Sequence, residues 1–249
     1  MKKNKIIKTL ISTGTYDKFL HEILELSKNT ISSYICVSNV HMTIEAYQSK
    51  TFCEIVNNAD MATPDGMPLA KAMKLLYGIE QDRVAGMDLM PDLMKISEEK
   101  ELSIFLYGST EETLQKITKK ASKEFPNLKL FTYSPPFRAL SNEEKYNTVK
   151  MINNKKPNFV FVALGCPKQE KWMAEHKGKV NSCMIGLGGA LEVYAEVKDR
   201  APQWMQKYSL EWLYRLIQDP KRLWKRYVMT NTLFIFLLFI QIMRVRIFK

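Results

Sequence analysis

Cysteine is scarce: Cys36, Cys53, Cys166 and Cys183 are the only four in 249 residues, far apart and without a C-x-x-C pair. That excludes a disulfide scaffold and favours reduced thiols in a cytosolic protein. Histidine is scarcer still, and the three residues (His21, His41, His176) are too scattered to suggest a zinc site. No G-x-x-x-x-G-K-[ST] is present, which removes a P-loop NTPase. An early G-x-G-x-x-G followed by an acidic residue about twenty positions on is also missing, which argues against a nicotinamide-dependent reductase. The D-x-D pair of many metal-dependent sugar-nucleotide enzymes does not occur. The sole Glu-x-Asp, Glu80 to Asp82, reads as a solvated surface loop. The basic N-terminus "MKKNKIIKTLISTGTYDKFL" has no apolar core long enough for a signal peptide, so the expected location is the cytoplasmic side. Internal repeats and low-complexity linkers are absent.

What remains is the composition of a folded chain. With 46% hydrophobic and 25% charged residues there is material for a sizeable core, in one large domain or a domain with an appendage. Helical spacing over 17–29 leads to the apolar strand "SSYICVSNV" and then to helical spacing in "HMTIEAYQSKTFCEIVNNA". After a "TPDG" turn, "MPLAKAMKLLYG" predicts a helix ending at Gly78, and "AGMDLMPDLMKISEEK" another that tolerates Pro91 near its start. From residue 102 the rhythm is regular. The strands "LSIFLYGS", "LKLFTYS", "NFVFVALG" and "SCMIGLGG" alternate with helices, one of them opened by Ser141 with Glu144 three residues on. Such alternation predicts an α/β, Rossmann-like, mainly parallel sheet with helices on both faces over residues 1–200.

Residues 201–249 break the pattern and read as a helical, basic and apolar C-terminal appendage. The net charge of +11 is lopsided: from Lys198 onward there are eleven Lys and Arg against three Asp and Glu. A basic end beside an apolar run points to a membrane surface or an anionic ligand rather than to nucleic acid. The run "VMTNTLFIFLLFIQIM" (228–243) is free of charge. As a helix at about 1.5 Å per residue it spans roughly 24 Å, short of the ~30 Å hydrocarbon core. An interfacial or shallowly inserted helix is therefore preferred, a short span comes second and a buried helix third. Trp204, Trp212 and Trp224 fit either the headgroup level or packing of the appendage onto the core. Removing residues 228–249 is expected to weaken liposome binding while the core still folds.

Three strand-to-helix junctions carry glycine: Gly108 in "LYGST", Gly165 in "ALGCPKQE", and Gly186, Gly188 and Gly189 in "IGLGGALE". In a parallel sheet these junctions share one edge, where helix N-termini offer N–H groups to phosphate. The three together favour a nucleotide or phosphate site, although each glycine alone would serve a tight turn. Lys168 and Gln169 open the helix that follows Gly165. Metal-independent handling of a diphosphate would call on arginine and helix dipoles. Arg83, Arg215, Arg222 and Arg226 are available, and Arg215 and Arg222 would share a face if one helix ran through both. Asp65 sits in "DMATPDGMPL", where Pro-Asp-Gly is ordinary turn chemistry and also a rigid mount for a carboxylate.

The motifs "TPDGMPL", "RVAGMDLM", "FVALGCPKQEKWM", "GLGGALEVYA" and "RAPQWMQKYSLEWLYRLIQDPKRLWKRY" occur in order over most of the chain. Together they resemble the WecG/TagA/CpsF family of bacterial glycosyltransferases. The resemblance implies transfer of an N-acetylmannosamine-type sugar, or its uronic acid, from UDP to an undecaprenyl-diphosphate-linked N-acetylglucosamine. It further implies inversion, no metal or other cofactor, and work at the cytoplasmic membrane face in cell-surface polysaccharide synthesis. By position it makes Asp65 the general base, with Asn39 nearby. Arg83 and Gln169 lie around the substrate, and Arg215 and Arg222 meet the diphosphates. Pro64 would limit the backbone at the base, and Gly66 would let substrate approach. The methionines beside Asp65 are expected to lower local polarity and raise its pKa. Gln169 has two readings, a contact to sugar hydroxyls or an exposed helix start, while Trp172 and Met173 read as core. Where the family has a glycine after "GGALEVYA", this chain has Glu196. The expected partners are the UDP-sugar, the lipid-linked acceptor, a membrane surface and, as an option, a second copy. A non-catalytic, membrane-docked nucleotide-binding component of an assembly complex is the alternative, and it predicts indifference to loss of Asp65.

Overall fold

A computed structural model of the chain describes residues 1–28, 32–208 and 210–247, and the side chains of all of these except residues 207, 222 and 226. It opens with a hairpin of β1 (Lys3–Ile6) and β2 (Thr9–Ser12), paired antiparallel. Helix α1 (Tyr16–Lys28) precedes β3 (Ser33–Ser38), which is buried along its whole length. The single helical stretch expected next is two helices, α2 (Val40–Gln48) and α3 (Lys50–Asn57). Ser49 separates them, closing the first and capping the second through the Phe52 N–H. The segment before the Pro-Asp-Gly turn is itself a strand, β4 (Met61–Pro64). Helix α4 (Met67–Tyr77) ends at Gly78, left-handed at φ 68°, and α5 (Gly86–Glu99) carries Pro91 inside it.

The regular half runs as expected: β5 (Ser103–Gly108), α6 (Glu111–Glu124), β6 (Lys129–Tyr133), α7 (Asn142–Lys155), β7 (Phe159–Ala163), α8 (Lys168–His176), β8 (Cys183–Gly186) and α9 (Ala190–Tyr194). Ser141 and Glu144 form the reciprocal cap at the start of α7. The tail holds α10 (Gln203–Lys207), α11 (Glu211–Gln218) and α12 (Pro220–Ile247).

Strands β3 to β8 form one sheet in the order β4-β3-β8-β7-β5-β6, every neighbouring pair parallel. This is the expected α/β fold. Side chains alternate across each strand, so Tyr34, Cys36, Tyr107, Val162 and Met184 enter one core. Ile35, Val37, Leu106, Phe161 and Ile185 enter the core on the opposite face. The chain leaves β5 toward β6 but leaves β7 toward β8, in the opposite direction. That reversal is a topological switch point at the carboxyl ends of β5 and β7, the place where such sheets hold ligands.

Helix α12 lies against α2 and α4. Its inner face includes Leu223 and Phe234, the latter 3% exposed, together with Leu233, Leu237, Leu238 and Ile242. Gln241 closes the contact at the far end: its amide oxygen accepts from the Ile7 N–H (2.7 Å), and its amide nitrogen donates to the Lys5 carbonyl (2.9 Å). The outer face exposes Val228, Met229, Ile235, Phe236, Phe239 and Met243. A helix apolar on both sides needs a second apolar partner, and the buried-helix reading does not hold. The inner face also bears on the truncation: removing residues 228–249 would strip Phe234 and its neighbours from the core, so the remainder would not fold unharmed. Trp204, Trp212 and Trp224 are exposed, and Trp212 meets Tyr227 edge-on at 6.1 Å.

Candidate active site

The end of β4 is tied on two sides. The Asp65 N–H donates to the Ser38 carbonyl at the end of β3 (2.7 Å). On the other side the Val84 N–H donates to the Pro64 carbonyl (3.0 Å), and the Thr63 hydroxyl to the Val84 carbonyl (3.1 Å). The turn between strand and helix therefore holds a fixed position beside residues 83–85. Gly66 follows at φ 98°, a conformation that a side chain would strain, and Pro68 sits in the first turn of α4. Asn39 caps α2 by accepting from the Met42 N–H (3.1 Å), and its amide nitrogen reaches the Asp65 carboxylate at 3.5 Å. Burial is the largest influence on Asp65 and pushes its pKa up to about 6. Arg215 and Arg83 pull it down and Glu211 pushes it up, with the Asn39 contact a smaller downward influence. The expected rise is present; burial drives it, and of the surrounding charges only Glu211 adds to it while the two arginines oppose it.

Arg83 lies in the segment that leads into α5. Its guanidinium is held on both sides, by Asp88 (2.7 Å) and by Glu211 at the start of α11 (2.7 Å). Asp88 also pairs with Arg200. Arg215, one turn on from Glu211, approaches that carboxylate at 3.6 Å and the Met87 sulfur at 3.6 Å. The core and the tail thus meet at Asp65. Helix α11 ends at Gln218 and α12 restarts at Pro220, so Arg215 and Arg222 do not share one continuous helix. The Arg222 side chain lies outside the described residues. Asp88, Arg200 and Glu211 belong to the site and escape sequence reasoning. Glu211 and Arg215 stand four apart, a spacing that reads as a surface helix pair. Among the described residues, no three His, Cys, Asp or Glu side chains converge as a metal site would require.

The three glycine turns do share the carboxyl edge, at the ends of β5, β7 and β8, but their glycines do different work. A Cβ on Gly108 would lie 2.5 Å from the Ala163 carbonyl oxygen, so this glycine is demanded by the neighbouring strand. Gly165 and Gly189 face open space. Gly186 and Gly188 make room for the Gln169 amide, which a Cβ at either position would crowd. Gln169 is 4% exposed, so it is not an exposed helix start. Its nitrogen donates to Glu170 (2.7 Å) and its oxygen is buried without a partner. Glu170 is fully buried, and burial raises its pKa. Lys168 points to solvent. Trp172 and Met173 are core, Trp172 stacking between Tyr107 (4.4 Å) and His176 (4.2 Å).

Strand order arranges these parts in a row. Asn39, at the end of β3, stands between Asp65 at the end of β4 and the 186–189 turn at the end of β8, with the β5/β7 switch point beyond. Helix α4 begins at this edge with no side-chain cap, which leaves N–H groups of its first turn for an anion. At the start of α8, by contrast, the Gln169 N–H is taken by the Gly165 carbonyl (2.9 Å). A carboxyl poised near neutrality, two arginines and the uncapped start of α4 suit proton removal beside a phosphate.

Comparison with known proteins identifies the family. The family model described as "Glycosyl transferase WecG/TagA/CpsF family" matches residues 4–247. An N-acetylglucosaminyldiphosphoundecaprenol N-acetyl-beta-D-mannosaminyltransferase of Bacillus subtilis (strain 168) is 32% identical over 197 residues, 79% of this chain and 75% of that protein. A protein of the same name from Staphylococcus aureus (strain MW2) is 31% identical over 198 residues, 79% and 76% of the two chains. The chain therefore belongs to the WecG/TagA/CpsF family of glycosyltransferases.

Proposed function

We propose that this glycosyltransferase moves N-acetylmannosamine, or its uronic acid, from UDP to undecaprenyl-diphosphate-linked N-acetylglucosamine in cell-surface polysaccharide synthesis. The names of the relatives support the sugar and the acceptor. The observation that carries the chemistry is the Asp65 carboxyl, fixed at the sheet edge between Asn39 and two arginines. In the proposed step, Asp65 takes the proton of the acceptor hydroxyl as that oxygen bonds to the anomeric carbon. The bond from that carbon to the diphosphate breaks on the opposite side, and UDP leaves with the electron pair, inverting the centre. Arg215 and the uncapped N-terminus of α4 would neutralise the departing diphosphate in place of a metal ion. The test offers a panel of UDP-sugars with a polyprenyl-diphosphate N-acetylglucosamine acceptor and measures UDP release. UDP-N-acetylmannosamine or its uronic acid gives turnover. Silence across the panel, with folded protein and liposomes present, contradicts the reading and favours a non-catalytic nucleotide-binding role.

The outward face of α12 supports a place on the cytoplasmic membrane surface. The helix lies flat on the core by its inner face, and spanning a bilayer would pull Phe234 out of its packing and break the Gln241 contacts to the hairpin. An interfacial helix keeps both and buries Phe236 and Phe239 in lipid. At about 1.5–3 kcal/mol per buried aromatic side chain, the double variant F236E/F239E lowers liposome affinity at least tenfold. Its melting temperature stays within about 2 °C of the parent, since both positions face solvent. Unchanged co-sedimentation with anionic liposomes contradicts the interfacial assignment.

A further inference from the structure

The Asp65 cluster balances three carboxylates (Asp65, Asp88, Glu211) against three guanidinium groups (Arg83, Arg200, Arg215). Glu211 is the member of the tail that forms an ion pair with the core. One of its oxygens accepts from Arg83 of the core at 2.7 Å, and the other lies 3.6 Å from Arg215 of its own helix. The Glu211 and Arg83 side chains are 17% and 16% exposed, so their pairing is shielded from solvent. Among the described residues this is the ion pair that joins α11 to the core.

We propose that Glu211 is a positioning residue: it fixes Arg83 beside Asp65 and sets its own negative charge against the two guanidinium groups that face that carboxyl. The inference rests on the proposed transferase chemistry for its kinetic consequence, but not for the contact itself. Arg83 has its two terminal nitrogens taken by Asp88 and Glu211, so it serves as a fixed post. Arg215 has only long contacts and about two-fifths of its side chain exposed, which leaves it free to turn to an incoming phosphate. The charges facing Asp65 come from α11 (Arg215, Glu211) and from the segment before α5 (Arg83), with Asp88 and Arg200 behind Arg83. On α2, Asn39 is the neutral neighbour, and His41 turns toward Glu45 at 3.9 Å. With Glu211 neutral, the two guanidinium groups act on Asp65 without the opposing negative charge, and its carboxyl ionises at lower pH.

The test compares the full-length parent with Glu211→Gln, which keeps the side-chain shape and removes the charge. In the variant, kcat/KM falls roughly tenfold to a hundredfold, the scale of a misplaced catalytic constellation. The acid limb of the kcat/KM–pH profile moves to lower pH, and amide hydrogens of α11 exchange faster while those of β3 and β7 do not. A fall in activity with the acid limb unmoved would make Glu211 a mere helix-end residue and overturns the proposal, as does an unchanged kcat/KM. If the parent itself gives no turnover, the transferase reading fails instead, and amide exchange alone decides: protection of α11 unchanged in Glu211→Gln overturns the positioning role.

Discussion

Asp65→Asn lowers kcat by about 10²- to 10⁴-fold, the range for loss of a general base, while the fold survives. Asparagine matches the shape of aspartate and keeps the backbone bond to Ser38, but it cannot accept the proton of the acceptor hydroxyl. The stability consequence has a definite sign. Burial raises the pKa of Asp65 above its ordinary value to about 6, so the native state binds more protons than the unfolded chain in that interval. Stability conferred by the protonated form is complete at low pH and is lost as pH climbs through about 6. The asparagine variant does not titrate. At pH 7.5 its melting temperature equals or exceeds that of the parent, which separates lost chemistry from lost structure. UDP release under saturating substrate, run beside thermal melts, checks both halves. Near-normal turnover by the variant removes Asp65 from the mechanism.

Gly108→Ala strikes the scaffold. The added Cβ would sit 2.5 Å from the Ala163 carbonyl oxygen and 2.7 Å from its carbon, both backbone atoms of a central strand. Residue 108 also has φ 107°, which an alanine adopts only under strain. Overpacking and backbone strain together cost about 3 kcal/mol or more. For a chain of this size that corresponds to a fall in melting temperature of roughly 6–12 °C. A shift under about 2 °C in a calorimetric scan would mean that β5 and β7 are not seated as described. The contrast with Gly165, which faces open space at the end of the neighbouring strand, shows that a shared glycine signature conceals two physical demands.

Strands β5, β7 and β8 are readable because both faces of each are covered, which produces apolar runs closed by glycine. The helices between them repeat every three to four residues, and that spacing survives in the sequence. Strand β4 is four residues long and runs straight into Pro-Asp-Gly, so the turn signal masks it. The hairpin strands are as short, β1 carries Lys3 and Lys5, and neither shows the long apolar run that marks a covered strand. One cap residue, Ser49, divides α2 from α3, too small a mark to break a helical period. Of the site, Asp65 is visible through its turn and the family motifs. The Arg83–Glu211 pair, 128 residues apart in sequence, has no local signature at all, since an ion pair between distant elements leaves no period and no spacing. Gln169 misleads in another way. A glutamine opening a helix looks exposed, and only the packing of α8 beneath Gly186 and Gly188 buries it.

A half-buried aspartate that removes a proton must govern how the reaction responds to acid. The decisive measurement is kcat/KM of the parent protein from pH 4.5 to 8.5, with UDP-N-acetylmannosamine and the lipid-linked acceptor. Below about pH 6 the rate falls tenfold per pH unit, and above that it reaches a plateau. A profile that stays level down to pH 4.5, with the protein still folded, would contradict Asp65 as the base.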